Sequence, residues 1–312
     1  MGYKTGENKM SENAIVARGV RKAYTRKKEV VKGLDLTVKR GAVYALLGCN
    51  GVGKTTSIRM ITGQLAPDAG DISVLGLDPV KDAVKLRRKM AYVAEGQKLY
   101  DWMTIDDLIK FVKAFYPEWD DKVCAHLLKM FGLPRGVKLK DYSRGMYTKA
   151  ALLGALCRDP DLLILDDPML GLDTAARREF MSGVVDAIHE FDRTVIFSTH
   201  IIPEIEALSD YAGIMVDGQL TLEAPVDEIK ASFREIRLPA DAGDVPELPG
   251  IVSIRNTGED KIVTVKGVES EMTAAFHQAG FRFFTVNAMS LEDVFLAVTA
   301  KKQKSGVRSQ IP

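Results

Sequence analysis

The stretch "GCNGVGKT", Gly48 to Thr55, has the spacing G-x-x-x-x-G-K-T, a pattern suited to holding phosphates. Glycines let backbone N–H groups turn inward along Cys49, Asn50, Gly51, Val52 and Gly53, where Cβ atoms would crowd an anion. The Lys54 ammonium can reach the β- and γ-phosphates of a nucleotide, the Thr55 hydroxyl suits Mg²⁺, and Thr56 continues the turn into a helix. A second stretch, "LLILDDP", ends an apolar run in two acids. Asp166 should emerge at the carboxyl end of a buried strand, the edge at which open α/β sheets bind ligands. Asp166 is therefore expected to partner Mg²⁺, and Asp167 to face the water that attacks the γ-phosphate. Cys49, inside the loop, reads as a spacer first and as a reactive thiol second.

These groups need elements to place them. "AVYALLG" is a nearly continuous apolar run ending in Gly, as expected of a buried strand, and "TTSIRMITGQL" after it has helical spacing. Strand, glycine-rich turn and helix is the context a phosphate loop requires. Before it, "AIVARGV" and "LDLTVK" alternate as half-buried strands do. From Ile105 to Arg158 the chain reads mainly helical, with a Thr104–Asp107 capping box, and Phe111, Phe115, Met130 and Phe131 are expected in the core. Strands return at "DLLILDD" and "TVIFSTH", separated by the helix-like "TAARREFMSGVVDAIHEF", and imply a parallel sheet with helices on its faces. "AGIMVDGQLTLEA" reads as a hairpin around Asp217-Gly218. After Ser232 the texture turns rich in Pro, Gly and acids, which suggests a boundary. A small α/β module follows, closing on a helix capped by Ser290 and Asp293. The expected division is a tail at 1–12, a large domain at 13–231, the module at 232–300 and a basic tail at 301–312.

The totals exclude several classes. The chain has 312 residues, 46% apolar and 27% charged, with a formal net charge of +1, so no global field argues for nucleic acid. Three cysteines and four histidines lack the spacing of a zinc site or a disulfide framework, which fits a reducing cytoplasm. No apolar run approaches the roughly 18–20 residues of a membrane span, and the polar start lacks the apolar core of a signal peptide. Work at a membrane would require another polypeptide.

Further motifs separate the families that share a phosphate loop. "DYSRGM" places Ser143 and Gly145 at a helix start, "LGLD" ends in Asp173, and "IFSTH" ends a strand in His200. Here the sequence resembles the ATP-binding subunit of an ABC transporter, over residues 14–230 and with every motif in the family's order. "YSRGM" resembles the signature motif LSGGQ, "LGLD" the D-loop, and "MAYVAEGQ" the Q-loop region with Glu95 at its key position. His200 falls at the switch histidine, and Tyr24 at the aromatic that stacks on adenine. The resemblance implies a P-loop ABC ATPase domain with a mostly parallel sheet core, an antiparallel β part and a helical signature subdomain. It implies ATP and Mg²⁺ as ligands and a head-to-tail dimer in which Ser143 and Gly145 meet the partner's nucleotide. It also implies separate transmembrane permease subunits that hold the chain at the cytoplasmic face of the membrane. By this resemblance Asp167 and His200 are the hydrolytic pair, and Glu95 touches metal and water. "MSLEDVFLAVTA" resembles the end of the small domain on ATPases of ABC-2-type exporters, which favours export.

Four positions depart from the family. Asp167 stands where Glu is usual, one methylene shorter, so hydrolysis is expected to be slow. Arg144 and Met146 replace the signature's Gly and Gln, with Arg144 either lying on the surface or adding a phosphate contact. Glu95 replaces Gln, and Leu170 replaces a small polar D-loop residue. Two alternatives to a transporter stay open: a soluble ABC ATPase on ribosomes or DNA, and a nucleotide-gated sensor. The first usually carries two ATPase units or a long coiled coil, and this chain has neither; a GTPase lacks support because no N-K-x-D motif occurs.

Overall fold

The computed structural model describes residues 12–25, 28–116, 119–191, 193–245 and 248–303. In chain order the elements begin with β1 (Asn13–Thr25), β2 (Lys28–Lys39), β3 (Val43–Gly48), α1 (Lys54–Ile61), β4 (Ala69–Val74), α2 (Ala83–Lys89) and β5 (Met90–Val93). The middle carries α3 (Ile105–Lys113), α4 (Asp121–Met130), α5 (Arg144–Leu156), β6 (Leu162–Asp166), α6 (Thr174–Phe191) and β7 (Thr194–Thr199). Then come α7 (Pro203–Glu206), β8 (Tyr211–Val216), β9 (Gln219–Pro225), α8 (Val226–Ser232) and β10 (Phe233–Pro239). The chain closes with β11 (Ile251–Asn256), β12 (Asp260–Lys266), α9 (Glu269–Gln278), β13 (Thr285–Ala288) and α10 (Leu291–Gln303).

The central sheet has the order β5-β6-β7-β3-β8-β9 and is parallel except for β8–β9. Every residue of β3, β6 and β7 is buried, which is why these strands read as unbroken apolar runs rather than alternating ones. Alternate side chains fill opposite layers. Val43, Ala45 and Leu47 face the layer of α5 and α6, while Tyr44 and Leu46 face the layer of β1, β2 and α1. The antiparallel sheet β2-β1-β4 flanks this second layer. Parallel registers bring Gly48 beside Met215, Leu47 beside Thr199, and Asp166 beside Ser198. The carboxyl ends of β3, β6 and β7 therefore share one edge.

Caps hold the helices as the sequence suggests. Thr104 and Asp107 form a reciprocal capping box on α3, and Ser290 and Asp293 exchange the same bonds before α10. One expectation fails. Phe131 is buried and Met130 packs half-buried against the core, but Phe111 and Phe115 are 38% and 64% exposed. Ile105, Leu108 and Val112 already supply the inward stripe of α3; Phe111 sits on its flank and Phe115 lies past its end, so both rings face outward. Directly after Ser232, β10 starts at Phe233 and is central in the sheet β11-β12-β10-β13. The tail segments 1–11 and 304–312 lie outside the described residues.

Candidate functional site

The loop between β3 and α1 is shaped by positions that only glycine can occupy. Gly53, the residue ahead of α1, has φ 114°, and a Cβ there would lie 3.0 Å from the Val30 carbonyl oxygen. At Gly48 a Cβ would come within 2.6 Å of the Val52 side chain. Lys54 is 5% exposed, and its Nζ donates to the Gly48 carbonyl at 2.7 Å. Burial lowers the pKa of this ammonium, against the opposing charges of Asp167, Asp166 and Glu95. A buried cation beside the open N-terminus of α1 forms a receptor for an anion.

Asp166 is fully buried at the end of β6, and its Oδ1 accepts from the Thr55 hydroxyl at 3.3 Å. Tyr92 on β5 donates to the other carboxylate oxygen at 3.4 Å. Burial, followed by the charge of Asp166, pushes the Tyr92 phenol up to about 12, so it remains a donor. Sequence reading passed over Tyr92, although the pairing of β5 with β6 sets it opposite Ile164 and within reach of the acid. Asp167 follows in the left-handed region, with φ 43°. Its N–H donates to the Ser198 carbonyl at 2.8 Å, and its Oδ1 lies 2.9 Å from Nδ1 of His200. Thus Lys54, Thr55, Asp166, Asp167 and His200 come together at one sheet edge.

The other expected residues fall around this centre. Tyr24 is exposed at the end of β1, its hydroxyl 3.4 Å from that of Thr56. Glu95 is exposed just beyond β5, near enough for its charge to act on Lys54 and Tyr92. Cys49, Asn50 and Gly51 are exposed on the loop, and Val52 is half-buried. Ser143, Gly145 and Asp173 form a second group, where α5 and α6 start. Ser143 Oγ accepts from the Met146 N–H, and Asp173 Oδ1 accepts from the Ala176 N–H, so both act as N-caps in this chain. Gly145 packs so closely on α6 that a Cβ would sit 3.3 Å from that of Ala176. Arg144 turns its guanidinium to the Gly171 carbonyl, at 2.9 Å.

A phosphate loop between strand and helix, with paired acids and a histidine on neighbouring strand ends, defines a P-loop nucleotide-binding ATPase. The family model described as ABC transporter matches residues 31–170. The linearmycin resistance ATP-binding protein LnrL of Bacillus subtilis is 30% identical, over 92% of this chain and 98% of LnrL. The Nod factor export ATP-binding protein I of Rhizobium etli is also 30% identical, over 97% of this chain and 98% of its own. A solved ATP-binding subunit of an ABC transporter superposes with a TM-score of 0.62 at 27% identity, covering 70% of this chain and 92% of that one. The chain belongs to the ATP-binding subunits of ABC transporters, and its activity is that of an ABC ATPase.

Proposed function

We propose that this chain energises an exporter by slow, Mg²⁺-dependent ATP hydrolysis, with Asp167 and His200 as the hydrolytic pair. The observation that carries this reading is the 2.9 Å contact between the two side chains, one strand away from the Thr55–Asp166 pair. Phosphoryl transfer depends mainly on positioning and charge stabilisation. Asp167 orients the attacking water, and His200 holds that carboxylate while presenting its ring toward the γ-phosphate. Lys54 neutralises the β- and γ-phosphates, and Tyr24 stacks on the adenine.

Mg²⁺ suits the donor set. A hydroxyl and one carboxylate, both hard oxygen donors, already face each other, and no cluster of three or more His, Cys, Asp or Glu occurs among the described residues. Mg²⁺ typically takes one or two protein oxygens and fills the rest of its shell with water and phosphate. Thr55 and Asp166 would hold it, with Glu95 at the rim, and it would screen the charge between the β- and γ-phosphates.

Names among the relatives favour export, since they specify Nod factor export and linearmycin resistance. No helix among the described residues is long and apolar enough to cross a membrane, so separate permease subunits would hold the chain at the cytoplasmic face. The exposed rings of Tyr100, Trp102, Phe111 and Phe115, in sequential contact, are the surface we assign to that docking. A second copy of the ATPase, or a related one, would supply Ser143 and Gly145 to the nucleotide held here.

Steady-state phosphate release tests the central claim. Asp167→Asn should lower turnover by about a hundredfold or more while sparing ATP affinity, and Asp167→Glu should keep or raise it, because the longer carboxylate regains about 1 Å of reach. His200→Ala should also lower turnover. Full turnover by a folded Asp167→Asn protein would sink the assignment.

A further inference from the structure

The segment from Asp167 to Leu172 is a pair of interlocked turns. The Leu170 N–H donates to the Asp167 carbonyl at 3.1 Å, and the Leu172 N–H to the Met169 carbonyl at 3.2 Å. Each turn contains a left-handed residue, Asp167 with φ 43° and Gly171 with φ 76°. For Asp that conformation is strained by on the order of 1 kcal/mol and persists only where the surroundings impose it. Buried Met169 and Leu172 anchor the segment from within, whereas its apex, Leu170 and Gly171, faces solvent.

The apex is gripped from outside by Arg144, whose Nη1 donates to the Gly171 carbonyl at 2.9 Å. Hydrogen bonds with an ionised donor are roughly twice as strong as neutral ones. The platform behind this arginine is firm. Gly145 seats α5 against Ala176 of α6, and farther along Lys149, itself buried, pairs with Glu179 at 2.5 Å. The guanidinium therefore reaches the turn pair from a helix that is fixed to the element following it.

We propose that Arg144 is a positioning residue for Asp167: by holding the Gly171 carbonyl it keeps the turn pair closed, and so keeps the short carboxylate beside His200 and the attacking water. This rests on the reading of Asp167 as the acid that orients the water. A short acid on a strained residue is sensitive to its backbone, since a displacement of about 1 Å can cost a hundredfold in rate. Arg144 touches neither Lys54 nor the phosphate loop of its own chain through any described hydrogen bond, so in the isolated chain its effect belongs on the Asp167 turn pair and not on ATP affinity.

The test uses the full chain carrying Arg144→Gly, Arg144→Ala or Arg144→Lys. Three quantities are read: amide hydrogen exchange at Leu170 and Leu172 without nucleotide, the single-turnover rate of ATP hydrolysis, and ATP affinity by calorimetry. With Gly or Ala, exchange at both amides should rise about fivefold and hydrolysis should fall about three- to tenfold, while ATP affinity stays within about twofold. Lys, which can still donate to the carbonyl, should recover at least half of the lost rate. Unchanged exchange or an unchanged rate in Arg144→Gly overturns the proposal, and so does a loss of affinity that accounts for the loss of rate. Asp167→Asn separates the two failures. If that protein hydrolyses ATP normally, the reading of Asp167 falls and the role of Arg144 falls with it. If it is inactive while Arg144→Gly is unaltered, only the role of Arg144 is removed.

Discussion

Cys49 occupies a loop position whose neighbours are set by glycine geometry and by the Lys54 ammonium. Its thiol is exposed, whereas Cys124 and Cys157 are buried. If the loop closes around phosphate as proposed, an alkyl group on that thiol would stand in the way. N-ethylmaleimide should therefore modify Cys49 first in the folded chain and abolish ATP binding, with ATP protecting it. Cys49→Ala should bind ATP and resist the reagent. Undiminished ATP binding by the alkylated protein would place the thiol outside the ligand's path. The phosphate loop was legible because its parts are consecutive; Gly48, Lys54 and Thr55 carry their geometry in eight residues. Tyr92 and Arg144 were not legible in the same way. Tyr92 reaches Asp166 through a strand register, and Arg144 reaches Gly171 across the α5–α6 seam, so each role depends on partners distant in the chain.

Helix α3 illustrates how a correct element can carry a wrong burial assignment. Its start was readable from Thr104 and Asp107, because a capping box is a local pattern. Which aromatic rings it buries was not readable, because three aliphatic residues already fill its inward stripe. Phe111 and Phe115 instead contact each other edge-on at 5.2 Å, and Tyr100 meets Phe111 at 5.3 Å. Phe111 and Phe115 line a groove of about 380 Å³ between α3 and α5, and Trp102 extends the aromatic chain through its contact with Tyr100. Aromatic anchors at protein interfaces often cost about 2 kcal/mol or more when truncated. Trp102→Ala with Phe115→Ala should therefore weaken co-purification with the permease while leaving ATP affinity and the melting temperature of the isolated chain nearly unchanged. Full retention of the permease by the double variant would move the docking surface elsewhere.

At the scale of the whole chain, composition suggested a small module after Ser232; the sheet β11-β12-β10-β13 holds an apolar cluster around Ile236, Val263, Met272 and Phe276. The last helix follows a different allegiance. Leu291, Val294, Phe295 and Ala297 of α10 are buried in the same cluster as Val43, Ala45 and Leu47 of β3 and Ile214 of β8. Glu206 of α7 accepts from the Leu291 N–H at 3.1 Å, and Thr299 lines a cavity together with Cys49, Asn50 and Gly51 of the phosphate loop. No local signal could disclose this, because the apolar face of α10 looks the same whichever sheet it covers. The packing gives opposite forecasts for two core truncations. Leu291→Ala opens a void in the cluster that α10 shares with the strand bearing the phosphate loop and should destabilise the ATPase core by about 2–5 kcal/mol. Phe276→Ala opens a void of comparable cost within the small sheet and should leave the ATPase core standing. The two tryptophans, Trp102 and Trp119, both belong to the ATPase part, so their fluorescence during urea unfolding follows that part alone. Leu291→Ala should lower the urea midpoint of this signal and weaken ATP binding at intermediate denaturant, whereas Phe276→Ala should move it little. A tryptophan transition unmoved by Leu291→Ala would show that α10 does not support the ATPase core. Equal shifts in both variants would instead show that the two sheets unfold as one cooperative unit.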